Sequence, residues 1–127
     1  MRFDEYQALA HRTEAPVVPY RFVEPDLLRL VHGAMGLCTE AGEFQDQLKR
    51  SLYYGKPLDT VNLAEEVGDI LWYVALIANT LGVKLEDIAA ANIQKLKTRY
   101  PHAFNDTQAI NRNINAERKV LEGGVHE

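Results

Sequence analysis

The chain has 127 residues, 46% of them apolar, and a formal charge of -4. That length fits one domain, 1–127, with a real core, although a chain this small buries a modest share of its surface and gains much from association. The negative balance argues against a stable nucleic-acid partner, which calls for surplus positive charge facing phosphates; a phosphorylated small molecule stays open if a divalent cation stands between it and the carboxylates. Cys38 is the only cysteine, which excludes an internal disulfide and a cysteine-built metal site and suits a cytoplasmic location. Asp4 and Glu5 so early in the chain are wrong for a secretory signal. The most apolar stretch, 70–83, is broken by Asn79 and Thr80 and is too short to span a bilayer, so no membrane partner is expected.

Phe3, Tyr6, Leu9 and Ala10 recur at helical spacing and predict a short helix from Phe3 to about Arg12. Pro16 and Pro19 then enforce an extended connection, because proline fixes its own backbone and restricts the residue before it. Pro25 sits where a missing N–H is harmless, and it opens a second helix running to about Leu52, with Gly55 and Pro57 marking its end. A third helix starts near Asp59 or Thr60, with Asn62 as another possible cap, and runs to about Leu81 before Gly82. A fourth begins around Leu85, with Glu86 and Asp87 meeting the positive helix end, and stops before Pro101. From Asp106 to Leu121 the sequence is polar and rich in Asn, which suggests a peripheral helix or an arm. Val17 and Val18 are too few to signal a strand. The expected fold is all-α: a bundle of four main helices plus a peripheral C-terminal segment.

On a helical wheel, Leu30, Ala34, Leu37, Ala41, Phe44 and Leu48 form an apolar face of the second helix, bordered by Gly33, Gly36, Glu40, Glu43 and Gln47. In the third helix the apolar face is Leu63, Val67, Leu71, Val74, Ala78 and Leu81, bordered by Asn62, Glu66, Asp69, Tyr73 and Ile77. Each helix therefore carries two acids one turn apart at the margin of its buried face. Gly36, Gly42 and Gly68 are costly inside helices unless backbone or ligand comes close. Antiparallel packing of these helices gathers Glu40, Glu43, Glu66 and Asp69 around one cleft. Four like charges oppose one another's ionisation, and a hard divalent cation resolves the conflict. Magnesium, or manganese, fits an all-oxygen site that also takes substrate phosphates.

The fourth helix offers the opposite sign. Ile88, Asn92, Lys95 and Arg99 fall along one side; Lys95 and Arg99 suit phosphate oxygens, and Asn92 suits a sugar or base, although basic residues in a last turn also simply favour the helix dipole. Phe44 and Met35 read as packing residues, and Trp72 lies away from the acid stripe and suits an interface. Tyr53 and Tyr54 precede a loop where stacking on a base is conceivable, while His32 and His102 give no pairing signal. The absence of a glycine-rich phosphate loop excludes a kinase-type site.

Three motifs in order carry a resemblance. Glu40-Ala41-Gly42-Glu43, Glu66-Val67-Gly68-Asp69 and the run from Asn92 through Lys95, Arg99, Tyr100 and Pro101 to His102 are similar to the ExxE, ExxD and KLxxRYP segments of the MazG-like nucleoside triphosphate pyrophosphohydrolases. The likeness covers about Leu27 to Phe104 and leaves the first helix and the Asn-rich tail unexplained. It implies a helical bundle working as a dimer or tetramer, magnesium held by the four acids, and phosphates met by Lys95 and Arg99. The implied reaction is attack of a metal-activated water on the α-phosphorus, giving monophosphate and pyrophosphate, with Glu40 or Glu43 as base. Phosphoribosyl-ATP hydrolysis on the same fold, or a non-enzymatic helical module for oligomerisation, are the rival readings.

Overall fold

The structure, a computed structural model, describes residues 1–16 and 24–125. Pro19, Val17 and Val18, on which part of the first connection rests, lie outside the described residues. All regular structure among the described residues is helical: α1 (Phe3–His11), α2 (Pro25–Tyr54), α3 (Thr60–Leu81), α4 (Leu85–Arg99), α5 (Asp106–Ile110) and α6 (Ile114–Val125). No single helix among them is long and apolar enough to cross a membrane. The chain gathers into two compact units, Met1–Gly82 and Val83–Glu127.

In the first unit, local chemistry sets the helix ends close to their expected places. The Asp59 carboxylate, rather than Thr60 or Asn62, caps α3 by accepting from the Val61 and Asn62 N–H groups at 3.1 and 3.0 Å. Gly55 ends α2 with φ of 63°, a left-handed turn that a side chain would oppose. α2 and α3 pack antiparallel: Gly33 lies against Ile77 and Gly36 against the Tyr73 ring, so numbering rises along one helix as it falls along the other.

This contact corrects the expected packing faces. Gly33 and Gly36 are buried, whereas Ala34, Ala41 and Leu48 of the supposed apolar face are exposed. The glycine stripe meets α3 directly, because removing Cβ lets a tyrosine ring and an isoleucine sit on the α2 backbone, while Leu30, Leu37 and Phe44 of the apolar face are half-buried. Gly36→Ala is therefore expected to lower the melting temperature. Its methyl falls inside the Tyr73 ring, and overpacking of about 1–3 kcal/mol outweighs the roughly 1 kcal/mol gained in helix propensity. Gly42→Ala, with nothing within 4 Å of the new methyl, is expected to raise it, and thermal denaturation of the pair measures the difference.

α1 lies on α3 and covers the face carrying Ala75 and Leu76, which are 0% and 4% exposed. The Tyr6 hydroxyl donates to the Gly68 carbonyl at 3.3 Å, and the Asn79 amide donates to the Gln7 carbonyl at 3.2 Å. Glu14, just beyond α1, is gripped by both Nε and Nη2 of Arg29 on α2. Apolar surface left over after packing is therefore not at Ala75 and Leu76. That surplus runs instead along α2, where Leu27, Val31, Met35, Leu52 and Tyr53 are 52%, 44%, 65%, 77% and 74% exposed. Met35 in particular packs against nothing that hides it.

In the second unit, the Asn-rich segment is not a free arm: its α6 packs along α4. Glu117 of α6 is 3% exposed and accepts from two arginines, Arg99 on α4 (2.9 and 2.7 Å) and Arg112 before α6 (3.3 and 2.6 Å). Asn105 caps α5, its side chain accepting from the Gln108 N–H at 3.1 Å.

Candidate metal centre

The antiparallel pairing of α2 and α3 determines which acids meet. One turn beyond the Gly36–Tyr73 contact, the packed edge of α2 presents Glu40 and Glu43, and the matching edge of α3 presents Glu66. One carboxylate oxygen from each of these three lies within 4.8 Å of the others. Glu66 is 5% exposed, Glu40 is half-buried and Glu43 is open to solvent. Burial, then the charges of Glu43, Asp69 and Glu66, push the Glu40 carboxyl above the usual range.

Asp69 stands outside the three-carboxylate cluster. It is exposed one turn further along α3 and shares with Glu40 the wall of a cavity of about 330 Å³, whose other walls are Thr13, Trp72 and Tyr73. Its charge also reaches Tyr6, whose hydroxyl is pushed up by burial first and by Asp69 second. Trp72 therefore faces the same space as two of the acids, whereas the helical wheel sets it on the side away from the acid stripe.

Asn62 is the residue whose role the sequence left unread. It sits one turn before Glu66, and its amide donates to Glu66 Oε1 at 3.1 Å and to Glu65 at 3.3 Å. Such a hydrogen bond fixes a carboxylate that would otherwise rotate, as the outer contacts of metal ligands do. The Asn62 side-chain oxygen is buried without a partner among the described residues. The donor set fits a hard cation: it is all oxygen, partly desolvated, and crowded enough that an ion relieves repulsion.

The other expected binding residues belong to the second unit. Asn92 is exposed and Lys95 half-buried on α4. Arg99 is committed to Glu117 and lies over the Tyr100 ring, 5.7 Å from its centroid. The Glu117 hydrogen bonds hold the Arg99 guanidinium firmly protonated. His32 is exposed and edge-on to Trp72 and Tyr73, Phe44 is half-buried, and Tyr53 and Tyr54 are exposed.

Comparison with known proteins matches the same stretch of chain. The model of the MazG nucleotide pyrophosphohydrolase domain matches residues 33–104, a span holding all seven expected site residues. The chain belongs to the MazG nucleotide pyrophosphohydrolase family. It is similar to the "Gene 37 protein" of Mycobacterium phage L5, 33% identical over 103 residues that cover 78% of this chain and 89% of that protein. It is also similar to the "Uncharacterized protein YvdC" of Bacillus subtilis (strain 168), 44% identical over 41 residues, 32% of this chain and 39% of that one. No solved structure matches the chain. Membership of that family implies a nucleotide pyrophosphohydrolase.

Proposed function

We propose that this MazG-family chain hydrolyses nucleoside or deoxynucleoside triphosphates to monophosphate and pyrophosphate with magnesium, manganese serving in its place, in the cytoplasm. The observation that carries the reading is the convergence of Glu40, Glu43 and Glu66 within 4.8 Å from two facing helices. These three and Asp69 are the proposed ligands, with Asn62 orienting Glu66. When bound, the cation neutralises phosphate charge and makes water a better nucleophile at neutral pH. Glu40 or Glu43 takes the proton of the attacking water. Lys95 and Arg99 are proposed to meet phosphate oxygens and Asn92 the sugar or base; charge stabilisation by such groups is the larger share of catalysis.

The test is a panel of nucleoside triphosphates, deoxynucleoside triphosphates and phosphoribosyl-ATP, each with magnesium, manganese or chelator. At least one triphosphate is expected to give equal amounts of monophosphate and pyrophosphate, only with metal. Diphosphate plus orthophosphate as products would refute attack at the α-phosphorus. Turnover of phosphoribosyl-ATP alone would move the reading to that substrate.

Self-association as a dimer or tetramer is part of the same proposal. Its support is the exposed stripe Leu27, Val31, Met35, Leu52 and Tyr53 along α2, more apolar surface than a small soluble chain leaves bare without use. Sedimentation at micromolar concentration is expected to give at least twice the mass of one chain, and Met35→Glu is expected to lower it.

A further inference from the structure

The family match ends at residue 104, so α5, α6 and the loop before α6 lie beyond it. From there Glu117 reaches back to a residue inside the match. Glu117 accepts at Oε1 and Oε2 from Nε and Nη2 of Arg99, at 2.9 and 2.7 Å. The same two oxygens accept from Nε and Nη2 of Arg112, at 3.3 and 2.6 Å. Two planar forks therefore share one carboxylate that is 3% exposed.

The first unit offers a contrast. At Glu14 one arginine, Arg29, supplies the fork, and a single positive charge answers a single negative one. At Glu117 two guanidinium charges meet one carboxylate, and a positive charge is left over. The Arg99 side chain is 16% exposed and that of Arg112 43%. A guanidinium has five N–H donors in a rigid plane. The fork on Glu117 uses the Nε–Nη2 edge of Arg99, and Nη1 takes no part in it. The Tyr100 ring lies against the same guanidinium, with Cζ 5.7 Å from the ring centroid. Arg99 is held at one edge and beside one ring, and a long side chain already held loses less freedom when it binds an anion.

We propose that Glu117 is a positioning residue for Arg99: it fixes the guanidinium by one edge and sets the other edge for a phosphate oxygen. Arg112 keeps the cluster positive although Arg99 is paired. The segment beyond the family match is then a working part of phosphate binding in this MazG chain. The inference rests on the phosphate role proposed above for Arg99, while the Glu117 geometry stands apart from it.

Chemical rescue tests the role, with every variant assayed at a temperature where circular dichroism shows it fully helical. Arg99→Ala leaves Arg112 on Glu117 and opens room for a free guanidinium ion in front of the carboxylate. Triphosphate hydrolysis by Arg99→Ala is expected to fall about tenfold or more, the scale of a lost or displaced phosphate contact. Millimolar guanidinium is expected to restore much of it by docking on Glu117, and to restore nothing once Glu117→Gln is added. Glu117→Gln alone is expected to lower kcat about tenfold, and Glu117→Asp to lower it less. Arg112→Gln keeps the Arg99 fork and removes only charge. It is expected to raise KM about twofold to fivefold, with kcat nearly unchanged, the scale of an exposed charge interaction. Equal rescue with and without Glu117→Gln, no rescue of Arg99→Ala, or an unchanged kcat in folded Glu117→Gln would each overturn the proposal. Full activity of Arg99→Ala without guanidinium would also overturn it, while leaving the hydrolase reading intact. Should wild type release pyrophosphate from no triphosphate, the hydrolase reading alone fails. Calorimetric titration of Arg99→Ala with inorganic tripolyphosphate then decides the positioning role: guanidinium should tighten binding only where Glu117 is kept, and equal tightening after Glu117→Gln, or none, would overturn it.

Discussion

Glu66→Gln and Asp69→Asn are each expected to cut turnover by at least about a hundredfold, the scale of losing a charge contact made in the transition state. Both substitutions preserve shape. The side-chain carbonyl introduced by Glu66→Gln would still accept from the Asn62 amide, which now donates to Glu66 Oε1 at 3.1 Å, so the α2–α3 pair should stay folded. The defect should lie in metal affinity, and raising Mg²⁺ should recover part of the activity. Lys95→Ala should fail differently, with a higher KM for nucleotide and unchanged binding of metal to the free protein. Calorimetric titration of Mg²⁺ into wild type, Glu66→Gln, Asp69→Asn and Lys95→Ala separates these cases, and equal affinities throughout would mean that neither acid is a ligand. The same crowding gives a thermal signature in chelator. The Glu40 carboxyl is raised by burial and then by its acidic neighbours. Its contribution to stability is therefore fully present below the ordinary glutamate range and is lost as pH rises through the raised value. At neutral pH without metal, Glu40→Gln is expected to melt higher than wild type, and saturating Mg²⁺ should reverse that order.

The helix boundaries were legible because they depend on local chemistry. Pro25 opens α2, Asp59 caps α3, and Gly55 and Gly82 take left-handed φ values of 63° and 69° at the helix ends. The meeting of Glu40, Glu43 and Glu66 was legible too, since period and a short connection suffice to bring two helix edges together. What the wheel misjudged was rotation about the helix axis. It ranked faces by apolar side chains, whereas Gly33 and Gly36 allow a backbone approach that no side-chain scale rewards. The leucines of α2 are partly in solvent, and Asp69 of α3 lines a cavity beside the cluster instead of joining it. Trp72 was misplaced for a different reason. Its surroundings come from Thr13, 59 residues away, and no periodicity within α3 reports such a contact. Asn62 had a readable signal, one turn from Glu66, but side-chain direction decides between a cap and an orienting partner. Glu117 had almost none, because a buried acid inside a polar stretch looks like a solvated one until both arginines are placed around it.

Glu117→Gln is expected to be the most damaging single change in the second unit. The carboxylate is 3% exposed and takes four hydrogen bonds from Arg99 and Arg112. An amide in its place can return only part of these and leaves two guanidinium groups facing each other without a counter-charge. The hydrogen bonds, Arg99 first and Arg112 second, hold the Glu117 carboxyl far below the usual glutamate range. A depressed carboxylate contributes stability that is present above its ordinary unfolded range, near pH 4.5, and lost progressively as pH falls toward the lowered value. In wild type, helical signal and amide protection across α4 and α6 should therefore persist at pH 5 and weaken in acid below about 4. In Glu117→Gln the melting temperature should already be lower at pH 7 and should depend less on pH in that window. Glu122→Gln is the control, because its pair with Arg118 is 56% and 72% exposed on the two sides, and exposed pairs contribute little. An equal loss in both variants would show that the Arg99–Glu117–Arg112 cluster is ordinary surface charge. The result also decides how Arg99 can be tested as a phosphate contact. Arg99→Ala removes a partner of a buried carboxylate as well as a cation, so its effect on KM will be mixed with a loss of fold. Lys95→Ala carries no such burden, and a rise in nucleotide KM there, at unchanged melting temperature, is the cleaner measure of what α4 gives to phosphate binding.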